Sequence, residues 1–112
     1  MTTMEFLTTG RPESDYRESS GYRYANHRPR TECVDGFSVS VQAGEFLYSS
    51  PRSDAGPWTA AELGFPDARP EPWSEWESYA EEADRPTHTV YSYVPIAMIE
   101  ALIALQIGRA HV

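Results

Sequence analysis

The sequence predicts a small α+β domain, a mainly antiparallel sheet of three to five strands packed by a C-terminal apolar helix and a short acidic helix. Three observations carry this expectation. Residues 31–65 combine strand alternation with turn chemistry, TVYSYV from Thr89 to Val94 is rich in branched and aromatic residues, and the stretch after Pro95 is almost wholly apolar.

Phe37, Val39, Val41 and Ala43 alternate with Ser38, Ser40 and Gln42, the period of a strand with one buried face. Asp35-Gly36 marks the turn before it. A two-residue turn would set Glu32 beside Val39 and Arg30 beside Val41 on the apolar face. A three-residue turn through Val34, Asp35 and Gly36, with Gly36 left-handed, instead pairs Cys33 with Phe37 and Thr31 with Val39, so a bulged hairpin is expected. Gly44 then offers a turn into a short strand over 45–48, and 49–57 reads as an exposed loop. Within 58–65, Thr59, Ala61, Leu63 and Phe65 alternate as a strand, although Thr59-x-x-Glu62 is also a capping box; the strand is preferred.

The chain has 112 residues, 40% of them hydrophobic, enough for one modest core. A single cysteine excludes an intramolecular disulfide, and Cys33 reads as a small hydrophobe. No apolar run approaches the roughly 20 residues of a membrane span, so no membrane partner is expected and the cytoplasm is the expected location. A formal charge of -8 argues against direct nucleic-acid binding. Lysine is absent, so every permanent side-chain cation is an arginine, able to make planar bidentate contacts.

Residues 1–20 show no sustained period and are expected to be a flexible lead-in, with Met4 as an alternative start; residues 21–105 form the single domain. The chain's one aromatic and basic concentration, GYRYANHRPR, spans 21–30. Its bland reading is an edge strand whose tyrosines pack and whose arginines answer nearby acids. Its functional reading is a surface where Tyr22 and Tyr24 stack a base while Arg28, Arg30 and Arg52 clamp a phosphate. From Asp67 to Asp84 seven acids face one arginine. Ser74-x-x-Glu77 is a capping box, and a helix over about 75–83 would present Glu75, Glu77, Glu81 and Glu82 on one face. That face is either merely solvated or an imitation of a phosphate backbone for a basic partner. The final helix, from Ile96 to Leu105, carries only Glu100 as a charge and is expected to be buried on more than one side, by the sheet and by a homodimer partner or further chain. Residues 107–112, IGRAHV, coincide with the translation of a common sequencing adapter and Gln106 fits its preceding bases; 106–112 is expected to be foreign to the native protein.

No Walker loop, dinucleotide fingerprint, nucleophile elbow or metal-ligand spacing occurs, so no cofactor or metal is expected and an enzyme is the minority reading. Cys33 and His27 are formally a nucleophile and a base, but the hairpin register turns Cys33 to the core.

The strings DGFSVSVQAGEFLYSSPR, GPWTAAELGFP and TVYSYVP before an apolar helix resemble a set of small uncharacterised proteins encoded in phages and prophages of gut bacteria. The resemblance spans roughly residues 21–105 and implies mobile-element origin without implying an activity or a site residue. The expected function is therefore a non-enzymatic accessory binding protein, a counter-defence inhibitor using the acidic face of Glu75, Glu77, Glu81 and Glu82 against a basic host protein. The alternatives are an oligomeric sponge that binds a nucleotide signal through Tyr22, Tyr24, Arg28, Arg30 and Arg52, and a structural or housekeeping phage protein.

Overall fold

The structure is a computed structural model and describes residues 1–33 and 35–109, with backbone alone for 105–109. In chain order the elements are α1 (Thr3–Thr9), β1 (Tyr16–Ser19), β2 (Tyr22–Ala25), β3 (Thr31–Glu32), β4 (Ser38–Gln42), β5 (Ala60–Gly64), α2 (Trp73–Trp76), β6 (Val90–Pro95) and α3 (Ile96–Arg109). Strands β3, β4, β5 and β6 form an antiparallel sheet in that order, and β1 with β2 forms a separate hairpin. The architecture is the expected α+β class, with the apolar helix at its C-terminal end.

The expected register of the first sheet hairpin holds. Thr31 faces Val39, the Cys33 amide donates to the Phe37 carbonyl at 2.8 Å, and Gly36 takes a φ of +92°. A β-carbon strains that backbone, so glycine is required there. Val34, the first residue of the expected turn, lies outside the described residues. Glu32 and Arg30 are exposed, as the register requires. Strand β5 also falls within the alternating stretch, with Ala61 and Leu63 turned inward and buried, while Thr59 and Phe65, expected on the same face, are exposed beyond its ends; β6 forms over the branched and aromatic stretch and buries Tyr91 and Val94.

Residues 1–20, expected as a flexible lead-in, are instead structured and supply part of the core. Thr2 and Glu5 form a capping box: the Glu5 amide donates to Thr2 Oγ1 at 3.1 Å and the Thr2 amide to Glu5 Oε1 at 3.3 Å. The helix so started buries Phe6 and Leu7 completely and ends at Gly10, where a β-carbon would come within 2.7 Å of the Ala55 carbonyl oxygen. Ser20 (φ 54°) and Gly21 (φ 80°) then make the two-residue turn that matches strand twist, closing β1 on β2 with Ser19 opposite Tyr22.

The strand expected over 45–48 is replaced by a turn. The Leu47 amide bonds back to the Gly44 carbonyl, the Glu45 amide goes to Asp54 Oδ1, and the buried Ser49 hydroxyl bonds both the amide and the carbonyl of Gly44. Tyr48 is tied to the sheet instead, its amide donating to Glu62 Oε2 at 3.4 Å and its carbonyl accepting from the Tyr93 amide at 3.1 Å. The helix expected over 75–83 is likewise shorter. After α2 comes a single 3-10 turn, Glu77–Tyr79; then Ala80 pairs with Tyr91 and the Glu81 amide donates to the Val90 carbonyl, covering the outer edge of β6.

All three helices contribute to the core on the inner face of the sheet. Tyr91 sits at its centre, fully buried, met edge-on by Trp73 (6.4 Å) and Trp76 (6.0 Å), with its hydroxyl donating to the Pro86 carbonyl at 2.6 Å. Burial pushes its phenol pKa up to about 12 from the ordinary 10.0. The unfolded chain therefore releases this proton first as pH rises. Stability contributed by the neutral phenol is complete below pH 10 and is lost progressively toward pH 12; base titration followed by circular dichroism should show this loss, and Tyr91→Phe should shift it to higher pH. In α3, Ile99 and Leu102 are buried while Ala97, Glu100, Ala101 and Ala104 are exposed, so within this chain the described side chains are buried on the sheet-facing side. Alanine made the stretch look apolar all round, yet it leaves little surface that needs covering.

Candidate ligand cleft

The site is assembled around Arg11, the residue after the α1 cap. Its side chain is only 2% exposed, and three carbonyls accept from it: Asp54 from Nε at 2.8 Å, Asn26 from Nη1 at 3.1 Å and Ala43 from Nη2 at 2.8 Å. Those carbonyls belong to the long β4–β5 loop, the segment just after β2, and the residue that follows β4. The guanidinium stacks between the Phe6, Trp58 and Tyr16 rings at 5.0–5.9 Å. Desolvation lowers its pKa, while Asp15 and Asp54 oppose that change. Gln42 adds a second tie, accepting from the Arg28 amide at 3.0 Å and donating to the Arg28 carbonyl at 2.8 Å.

These ties hold the β1–β2 hairpin against the 43–47 turn and leave a cavity of about 390 Å³ between them. Arg11, Arg17 and Arg23 line it together with Tyr22, Tyr24, His27 and Phe46, and the acids Glu45 and Asp54 stand on the side of the 43–47 turn. Tyr22 and Tyr24 lie side by side, ring centroids 6.3 Å apart, and remain 67% and 41% exposed; Phe46 across the cleft is 83% exposed. Arg17, opposite Tyr24 in the ladder and so on the same face of the hairpin, places its guanidinium 5.5 Å from the Tyr24 ring. On the other face Arg23 stacks on Tyr16 at 3.8 Å and pairs with Glu13. The tyrosine face thus offers flat π surface, a cation with no salt bridge among the described residues, and a neighbouring recess.

The structure unites Tyr22 and Tyr24 but parts them from the three arginines expected beside them. Arg28 lies over Phe6 at 4.2 Å and pairs with Asp15 at 3.2 Å; Arg30 donates to Ser38 Oγ and to the Phe65 carbonyl at 2.7 Å; Arg52 is exposed in the β4–β5 loop. None of the three lines the cavity. Arg17, His27 and Phe46 take their place. Arg17 was within reach of sequence reasoning, because Ser20-Gly21 is a hairpin turn signal that puts it opposite Tyr24. Phe46 carries no such signal, since the loop that presents it is closed by non-local bonds.

Glu75, Glu77, Glu81 and Glu82 are all exposed, but they do not share a helix face. The first two lie on α2 and the turn after it; the last two lie on the extended segment along β6, where Glu82 stands 3.8 Å from Arg85. Cys33 is buried, and desolvation followed by Asp35 and Asp67 pushes its thiol pKa up, the opposite of an activated nucleophile. Among the described residues no group of three or more histidine, cysteine or acidic side chains is placed to hold a metal ion, and no helix is long and apolar enough to cross a membrane. Comparison with family models, with curated proteins and with solved structures finds no match.

Proposed function

We propose that this protein is a non-enzymatic binding protein of the bacterial cytoplasm that captures a planar, anionic ligand of the nucleotide class on the tyrosine face of the β1–β2 hairpin. One observation carries the reading: two adjacent exposed tyrosines with an arginine stacked on one of them, beside a recess of nucleotide size. A base stacks on tyrosine, and the Arg17 guanidinium has donor edges left for a phosphate. Base stacking on an aromatic ring is worth about 1–3 kcal/mol, so Tyr24→Ala should weaken nucleotide binding by roughly tenfold or more in equilibrium dialysis against a nucleotide panel. Arg17→Ala should weaken phosphorylated ligands while sparing the free nucleoside. Equal affinity of wild type and both variants would rule the site out.

A second reading keeps the protein a counter-defence inhibitor of a basic host protein. It draws on the exposure of Glu75, Glu77, Glu81 and Glu82 and on the net charge of -8. Division of the four acids between two segments makes this surface less concentrated than a single helix face would be.

A further inference from the structure

The cleft beside the tyrosine face has walls of opposite charge. Arg17 stands on the hairpin wall, its guanidinium 5.5 Å from the Tyr24 ring, and Glu45 lies in the 43–47 turn, next to the exposed Phe46. The fold does not let these charges neutralise one another. Arg11 is engaged by three carbonyls, Arg23 pairs with Glu13, and among the described residues neither Arg17 nor Glu45 has a salt-bridge partner. Glu45 is nevertheless held from behind. Its amide donates to Asp54 Oδ1 at 2.9 Å, and that oxygen packs so close to the turn that a β-carbon on Gly44 would lie 2.9 Å from it. The backbone is pinned while the side chain stays exposed at the cavity. A carboxylate repels phosphate, so a cleft that took phosphate alone would gain nothing from it; an acid on this wall suits a ligand whose far end donates hydrogen bonds.

Resting on the nucleotide reading above, we propose that the cleft selects guanine, whose Watson–Crick edge bonds the Glu45 carboxylate while its ring stacks on the tyrosine face and its phosphate meets Arg17. The assignment follows from donor count. An ionised carboxylate only accepts, through two oxygens. Guanine presents two adjacent donors on that edge, N1–H and the N2 amino group, and matches both oxygens. Adenine and cytosine set one amino group beside a bare ring nitrogen, and uracil sets one N–H between two carbonyls, so each turns a lone pair toward the second carboxylate oxygen. Hypoxanthine keeps N1–H and lacks the amino group.

Equilibrium dialysis of guanosine, inosine and adenosine monophosphates, which carry the same phosphate, isolates the base. Wild type should bind the guanosine nucleotide about tenfold or more tighter than the adenosine nucleotide, with the inosine nucleotide between them, the range for a hydrogen bond to a charged group. Glu45→Gln alters an exposed side chain, so its circular dichroism spectrum should be that of wild type. The new carboxamide offers one acceptor and one donor. Guanosine monophosphate should therefore weaken about tenfold, and adenosine monophosphate, whose N6 amino group and N1 match that pair, should tighten, a gain that a merely structural role for Glu45 would not produce. Wild type that binds the guanosine and adenosine nucleotides alike, or Glu45→Gln that keeps the guanine preference, would overturn the guanine assignment and leave the tyrosine platform standing. Binding of none of the three would overturn both readings.

Discussion

Arg11→Ala should destabilise the protein by about 3–5 kcal/mol, the range for stripping one partner from a buried charged network. The substitution leaves three partly buried carbonyls, on Asn26, Ala43 and Asp54, without their donor, and it removes the guanidinium that fills the space between Phe6, Trp58 and Tyr16. Against a total stability of about 5–15 kcal/mol, such a loss brings the chain close to unfolding at ordinary temperature. Arg11→Lys keeps the charge but cannot present donors to three separated carbonyls in a plane, so it should recover only part of the loss. Urea denaturation of the three proteins measures both effects. Lysine matching wild type would mean that charge alone, and not the fork of donors, holds the cleft together.

Phe6→Ala should cost about 3–5 kcal/mol, the range for removing a large aromatic side chain from a packed core. Phe6 is fully buried, its ring centroid lies 4.7 Å from that of Trp58, and two arginines stack on it. The consequence extends to the site, because Arg28 and Arg11 both rest on this ring. Thermal unfolding of Phe6→Ala, read beside a variant lacking residues 1–9, should place the two near each other in stability. A truncated protein as stable as wild type would contradict the role given to α1.

Much of the sheet could be read directly from the chain. In β4 the alternation of Val39 and Val41 with serines leaves one register open once Glu32 and Arg30 must stay in water, and that register is the one formed. Ala61 and Leu63 in β5, the strand over the branched and aromatic stretch of β6, and the start of α3 after Pro95 were legible for the same reason: local pattern and burial agree. The N-terminal helix escaped because seven residues are too few to display a period, and its one signal, Thr2-x-x-Glu5, is brief. The acidic segment misled in the other direction. A capping box and helical spacing promised a helix to residue 83, but the open edge of β6 draws Ala80 and Glu81 into extended pairing, and edge satisfaction outweighs local propensity.

The cleft was half legible. Tyr22 and Tyr24 stand out as an aromatic pair at strand spacing next to arginines, a pattern that reads either as edge packing or as a stacking surface. Which arginine accompanies them was not legible, since Arg28 and Arg30 are drawn away by Asp15, Ser38 and the Phe65 carbonyl, partners up to 35 residues distant. The recess itself depends on Arg11 reaching carbonyls 15, 32 and 43 residues away, and no local pattern encodes that.

Native mass spectrometry of the protein with adenosine and guanosine nucleotides added one at a time tests the ligand reading most directly. A nucleotide-sized adduct on the wild-type protein that is lost in Tyr24→Ala and reduced in Arg17→Ala is the expected result. Wild-type protein that carries no adduct with any nucleotide, while its far-ultraviolet circular dichroism confirms the fold, would contradict it.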